Sequence, residues 1–380
     1  MAAPGTAPIA VQFEGFSGSG GGTSALLGAM LRATDQVSDL IFSPGRPPQV
    51  EVHGQLIPVE ASGLKAMTAD DTRRIAADLI GSNKQAITML REQGSCDISY
   101  GLPGLARFRV NVFIQRGSCA VVMRVIPTTL PTFESLGLPA PVAEIADLRD
   151  GIVLVAGARG SGKSSTLAAL LDRINQKQTC HIITIEDPIE FLHNHKRATI
   201  HQRELHSDTP SIAQAMRAAL RQAPKVIMVG EVRDREMIEM LLEAAETGHL
   251  VLSSINTVDA IKTFDRMTGA FAAPEQASVR SRIAKTLRFV IAQRLIPRAD
   301  GNGRVAAFEI FKAGPQTYQA MEYETHPGPT LLEIMRHSDG MQLFDTEIAR
   351  LWRERIIDEE TAMAYASDPQ QLQQDAVERN

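Results

Sequence analysis

The sequence predicts an α/β fold, a parallel-rich sheet carrying a phosphate-binding loop, preceded by a smaller α+β unit. Three observations predict it. Residues 157–164 read GARGSGKS and satisfy G-x-x-x-x-G-K-[ST] at Gly157, Gly162, Lys163 and Ser164. The apolar run Ile152–Ala156 precedes this motif, and Leu167, Leu170, Leu171 and Ile174 follow it at helical spacing. Beyond residue 141, short apolar runs alternate with amphipathic stretches, the pattern of strands covered on both faces by helices.

Strand, loop and helix in that order make a nucleotide triphosphate site. Glycines let backbone N–H groups turn inward around phosphate oxygens, and a helix N-terminus adds its positive end. The loop residues Gly157, Gly160, Ser161, Gly162, Lys163, Ser164 and Ser165 are therefore the expected ATP contacts. Lys163 is placed to reach the β- and γ-phosphates, and Ser164 to hold Mg²⁺.

In chain order, residues 1–23 are rich in Ala, Pro and Gly and read as a flexible tail. Residues 24–126 form the first unit. Leu26, Leu27, Met30 and Leu31 mark a helix, and Ser38–Phe42 and Gln49–His53 mark strands. A helix is expected over Ala69–Ile80. In Ala106–Gln115, Phe108, Val110, Val112 and Ile114 alternate with Arg107, Arg109 and Asn111, the period of a half-buried strand. A further strand, Ala120–Ile126, carries Arg124 among apolar neighbours. Prolines crowd residues 127–141, which read as a linker. The second unit, 142–312, has expected strands Gly151–Ala156, His181–Glu186, Val226–Val229, Leu250–Ile255 and Val305–Phe311. Residues 313–380 read as a helical region with a frayed, Gln-rich end from Pro369.

Composition is that of a soluble globular protein: 44% hydrophobic and 22% charged over 380 residues, enough for two cores. A net charge of −5 without a long basic block argues against a nucleic-acid partner. The cluster Arg280, Arg282, Lys285 and Arg288 reads as a solvated or subunit-facing helix side. Cys96, Cys119 and Cys180 lie far apart, with neither zinc spacing nor a disulfide framework. No apolar run approaches the roughly 18 residues of a membrane span, and no signal pattern opens the chain. The expected location is the cytoplasm, with the inner membrane reached through partners.

Hydrolysis needs more than a phosphate cradle: a base, an acid near Mg²⁺ and positive charge for the transition state. Acids cluster just past the expected strands, where ligands of doubly wound sheets bind. They are Glu186, Asp187 and Glu190 after the second strand and Glu231 after the third. For Asp187, before Pro188, a capping or surface role weighs as much as a catalytic one. His249 precedes the fourth strand and Asn256 follows it.

These residues together resemble the secretion ATPase family of type IV pilus retraction motors, type II secretion ATPases and conjugation ATPases (the PilT, GspE and DotB/TraJ branches). The likeness runs from about Ser38 to Ala366. The stretch 184–191, TIEDPIEF, matches the family's Asp box; 228–234, MVGEVRD, its Walker B; 247–250, TGHL, its His box; and 106–113, ARFRVNVF, with Arg124 its arginine-bearing strands. The resemblance implies a RecA-like motor domain behind a PAS-like N-terminal domain, assembled as a homohexamer. It makes Glu190 the catalytic base, and it has Glu231 order Mg²⁺ and water. Arg107, Arg109 and Arg124 are brought to the nucleotide phosphates, with His249 and Arg266 as further site residues.

Two departures stand out. Asn256 occupies the place of the family's second His and cannot titrate near neutral pH. Arg159 replaces a small loop residue and is expected to face solvent. The Ala-Ile-Arg-Asn-Leu-Ile-Arg motif of pilus retraction motors does not follow Ile310, and the cysteine-rich insertion of type II secretion ATPases is absent. With Ile126-Pro-Thr-Thr129 and the glycine-rich start, the likeness points to the DotB/TraJ branch. A motor for type IVB secretion or conjugation is thus the first expectation, partnered by inner-membrane or cytoplasmic components of that machine. A pilus retraction motor is the alternative, and a nucleotide-responsive scaffold without turnover ranks below both. A DNA translocase lacks any basic, aromatic-interleaved path.

Overall fold

A computed structural model of the chain describes residues 8–12, 21–34, 37–61, 66–127, 129–323 and 328–377. The chain divides into two compact units. One comprises Met1–Thr128, Glu190–Leu192 and His206–Asp208; the other comprises Thr129–Ile189, His193–Leu205 and Thr209–Asn380.

The first unit is a seven-stranded sheet in the order Ile9–Val11, Gln55–Ala61, Gln49–Val52, Val37–Phe42, Ser118–Ile126, Ala106–Gln115, Ser95–Leu102. Only the Ile9–Val11 pairing is parallel. Part of the expected tail is therefore structured: Ile9 and Val11 pack against the apolar core, which outweighs the Gly/Ala-rich composition around them. The helix Gly21–Arg32 likewise begins before Ser24. The rest of the tail expectation, residues 1–7 and 13–20, lies outside the described residues. Alternation in Ala106–Gln115 places Phe108, Val110 and Val112 in the core, with Met123 of the next strand and with Ile75 and Leu79 of the helix Ala69–Ile80. That helix starts at Thr68 through a reciprocal capping box with Asp71.

In the second unit the sheet order is Thr199–Glu204, His181–Glu186, Val226–Val232, Leu250–Ile255, Gly151–Ala156, Leu287–Pro297, Arg304–Lys312. All neighbours are parallel except the last pair. Successive residues of the central strands feed two cores. Ile152, Leu154, Ile183, Ile227 and Val251 meet the helix Arg235–Glu246 on one face. Val153, Val155, Ile182, Met228 and Leu252 meet the helix Lys163–Lys177 on the other.

Three boundary expectations are corrected. The proline-rich stretch 127–141 is not a free linker past Thr129: the short helix Phe133–Leu136 and the 3₁₀ helix Ala140–Asp147 bury Phe133, Val142 and Ile145 in the second core. Nor does the chain fray at Pro369. The helix Pro369–Val377 buries Leu372, and the Asp345 carboxylate accepts the N–H groups of Ser367 (2.6 Å) and Asp368 (2.8 Å). Residues 313–380 are no separate region either, because Met321, Phe344 and Leu351 share a core with Ile152. Residues 378–380 lie outside the described residues.

Glu309, on the strand Arg304–Lys312, shows what this burial does to a charge. Its Oε1 accepts the Ala260 N–H at 2.9 Å. Burial pushes its carboxyl from 4.5 up to about 7, reinforced by the Asp259 charge and opposed by the hydrogen bonds and Arg294. A carboxyl raised on folding adds stability that is complete below about pH 4.5 and gone as pH rises through about 7. Glu309→Gln keeps the acceptor and removes the buried charge. It is expected to raise Tm by several degrees at pH 8, corresponding to about 3 kcal/mol at most, and to leave Tm near the parent's at pH 5. Thermal unfolding of both chains at the two pH values checks it.

Candidate nucleotide site

The loop after Gly151–Ala156 is shaped by its glycines. Gly157 has φ 152° and Gly162 has φ 91°, both in the region that excludes most side chains. A Cβ at Gly157 would also lie 2.7 Å from the Gln293 carbonyl oxygen. Lys163 Nζ donates to the carbonyls of Gly157 (2.9 Å) and Ala158 (2.8 Å), so the ammonium lies over the loop. Gly162 caps the helix Lys163–Lys177 without any side-chain hydrogen bond. The first turn of that helix points its N–H groups towards the loop, the end at which helices bind anions, and Ser164 and Ser165 sit in that turn, half-buried. This cradle fits a phosphate chain. Arg159 is exposed, as expected.

Parallel register brings the acids to the same sheet edge. Ile255 pairs with Ala156, and Glu231 pairs with Ser254. Glu231 thus lies two strands from the P-loop strand, about 10 Å at ordinary strand spacing. Asn256 Nδ2 donates to Glu231 Oε1 in a short bond, and Arg233 Nε donates to Glu231 Oε2 at 3.1 Å. Arg233 Nη1 also lies 3.5 Å from Asp187 Oδ2. At the departure from the family pattern, the amide of Asn256 thus donates to the carboxylate of Glu231. Glu186 is buried and accepts from Thr184 (2.5 Å) and Gln202 (3.0 Å), whereas Glu190, four residues on, is exposed. Ser164 and Glu231 supply hard oxygen donors at one edge, a set that suits Mg²⁺.

Not every expected residue joins this edge. His249 stands before Leu250, which pairs with Gly151, the opposite end of the sheet from the loop. Six residues of strand separate the two, roughly 20 Å. There His249 Nδ1 meets the Ala244 carbonyl at 2.9 Å, and its own carbonyl accepts the Gly151 N–H at 3.0 Å. Within this chain it ties a helix end to the sheet, at the end away from the loop. Arg266, on the helix Ala260–Gly269, lines a cavity of about 570 Å³ with Val232, Arg233, Asp234 and Lys262, beyond the Walker B strand.

In the first unit, Arg109 pairs directly with Arg124 across neighbouring strands, and Arg107 lies two residues along on the same face. Arg124 Nε donates to the buried Asp39 at 2.9 Å, and Arg107 Nε to Ser99 Oγ at 3.2 Å. Arg109 is exposed. In the basic cluster of the helix Ala273–Thr286, Arg282 is committed to Glu239 and Glu246.

Two supports of the site escaped the sequence reading. Arg233 was quoted within its motif without a role, although i, i+2 spacing puts it beside Glu231. Gln293 is an uncharged polar residue that interrupts an otherwise largely apolar strand, and that was the available signal, since a buried amide must find partners.

The family model for type II/IV secretion system proteins matches residues 96–354. The chain belongs to this family. It is 40% identical over 338 residues to the type IV pilus retractation ATPase PilT of Pseudomonas aeruginosa, covering 89% of this chain and 96% of that protein. A crystal structure of the pilus retraction motor PilT with bound ADP superposes with a TM-score of 0.79 at 38% identity, covering 89% of this chain and 95% of that one. The ATPase DotB of Legionella pneumophila superposes at 0.80 with 27% identity, covering 94% and 98%. The second unit is accordingly a RecA-like motor fold, and this secretion-family member is an ATP hydrolase. Among the described residues no helix is long and apolar enough to cross a membrane.

Proposed function

We propose that the chain is the ATP-driven motor of a retracting type IV pilus. The observation that carries this reading is the 40% identity spread over nearly the whole of PilT, against 27% for DotB. The two structural superpositions are too alike to separate the branches. Type IVB secretion or conjugation stands as the second reading, favoured by the sequence after Ile310, which lacks the retraction-motor motif.

In either machine the proposed chemistry is the same. Glu190 takes the proton of the attacking water; Ser164 and Glu231 would hold Mg²⁺, which would supply positive charge at the phosphates. Arg107, Arg109 and Arg124 meet the γ-phosphate within a homohexamer. Loss of that phosphate removes what the arginines grip, which releases the first unit for a power stroke. Docking partners are membrane or cytoplasmic components of the pilus base.

A deletion in the host decides between machines. Loss of twitching and of pilus-dependent phage sensitivity, with conjugal transfer and effector export intact, is expected. The reverse pattern would move the protein to the second reading.

A further inference from the structure

The strand Leu287–Pro297 carries Gln293, which is 3% exposed and spans two parts of the nucleotide loop. Its Nε2 donates to the Ser161 carbonyl in a short bond, and its Oε1 accepts from Thr166 Oγ1 at 2.8 Å. The first contact holds the tip of the loop, the second the first turn of the helix behind it. The loop is fitted around this side chain. A Cβ at Gly162 would come 2.9 Å from Gln293 Nε2, and a Cβ at Gly157 would come 2.7 Å from its carbonyl oxygen. Ser161 Oγ, also buried in the loop, has no hydrogen-bond partner; the residue is held through its backbone, by its own N–H to the Ala158 carbonyl at 3.3 Å and by the Gln293 amide on its carbonyl. Both side-chain ends are satisfied, and removing the amide would leave a buried carbonyl and a buried hydroxyl unpaired.

We infer that Gln293 is a positioning residue for nucleotide binding, an internal strut that presets the loop's N–H groups for phosphate. The inference rests on Gly157–Ser164 being the phosphate site. The loop contacts phosphate in the ground state as well as during reaction, so a slack loop weakens binding throughout. The signature is a raised KM with kcat little changed. The neighbouring Arg294 gives the control. Adjacent strand residues face opposite sides; Arg294 Nη1 donates to the Tyr365 carbonyl at 2.7 Å, and its guanidinium stacks 3.9 Å from the Phe344 ring centroid. Removing it loosens the same strand without touching the loop.

The test measures steady-state ATPase kinetics, binding of a fluorescent ATP analogue and Tm on the full chain. Gln293→Met, similar in length and without hydrogen bonds, is expected to raise KM and Kd roughly tenfold with kcat within about threefold. Arg294→Met is expected to lower Tm while Kd stays within about twofold of the parent. Parental Kd in a folded Gln293→Met overturns the inference, as does an equal loss of affinity in Arg294→Met. Should Gln293→Met not fold, Thr166→Val removes one of the two bonds isosterically. A Kd weakened about threefold then supports the strut, and a parental Kd overturns it. Lys163→Ala separates the levels: if it binds the analogue as the parent does, the loop itself is misassigned.

Discussion

Glu190→Gln is expected to abolish measurable ATP turnover, with kcat down by roughly 10²–10⁴, while the affinity for ATP stays within about threefold of the parent. The side chain is exposed, so its replacement by an isosteric amide costs no packing and Tm should not move. Position separates it from its acidic neighbours. Glu186 is buried and already accepts two side-chain hydrogen bonds, and Asp187 lies against Arg233. A base must be free to take a proton from water. Glu190, exposed, meets that requirement, while Glu186 serves as a fixed acceptor inside the sheet. Glu186→Gln should accordingly perturb stability more than Glu190→Gln does. Phosphate release and nucleotide binding measured on the same preparations check the assignment, and parental turnover in Glu190→Gln would remove Glu190 as the base.

The legible parts of the fold were those in which one period dominates. The apolar strands Gly151–Ala156, His181–Glu186 and Leu250–Ile255 and the alternating strand Ala106–Gln115 have the limits expected from their patterns. Two strands of the motor sheet were missed for different reasons. Thr199–Glu204, with its histidine, glutamine and charged residues, is an edge strand with only part of its length buried. Leu287–Pro297 follows the helix Ala273–Thr286 with no intervening turn residue to mark the change. The termini misled because composition is a local property, whereas Ile9 and Leu372 are ordered by cores assembled elsewhere in the chain. At the site, the P-loop and its acids could be read because spacing fixes them along a strand–loop–helix. The position of His249 before its strand was legible too, and seven residues along a parallel strand put it at the opposite end of the sheet from Asn256. Asn256 and Gln293 act through contacts with residues 25 and 132 positions away, and no local pattern encodes such pairs.

Arg109→Ala is expected to lower kcat by roughly 10²–10³ without lowering Tm, somewhat below the 10³–10⁵ that a dedicated arginine finger contributes. Arg109 and Arg124 are direct cross-strand neighbours, so their Cβ atoms lie about 5 Å apart, and Arg107 extends the same face. Like charges so placed repel. The buried Asp39 pairs with Arg124, and the opposite strand face is committed to Phe108, Val110 and Met123 in the core. A face of this kind gains when an anion such as a triphosphate approaches, and Arg109, exposed, has the freedom to meet it. Arg109→Lys keeps the charge but not the planar fork and should recover less than about a tenth of the lost rate. Arg124→Ala should differ in kind, because it leaves the Asp39 carboxylate buried without its partner and lowers Tm as well as kcat. Steady-state kinetics with thermal unfolding on the three variants separates the roles. Parental kcat in Arg109→Ala would take the guanidinium of Arg109 out of the reaction and leave Arg107, Arg124 and Lys163 to supply positive charge at the phosphates.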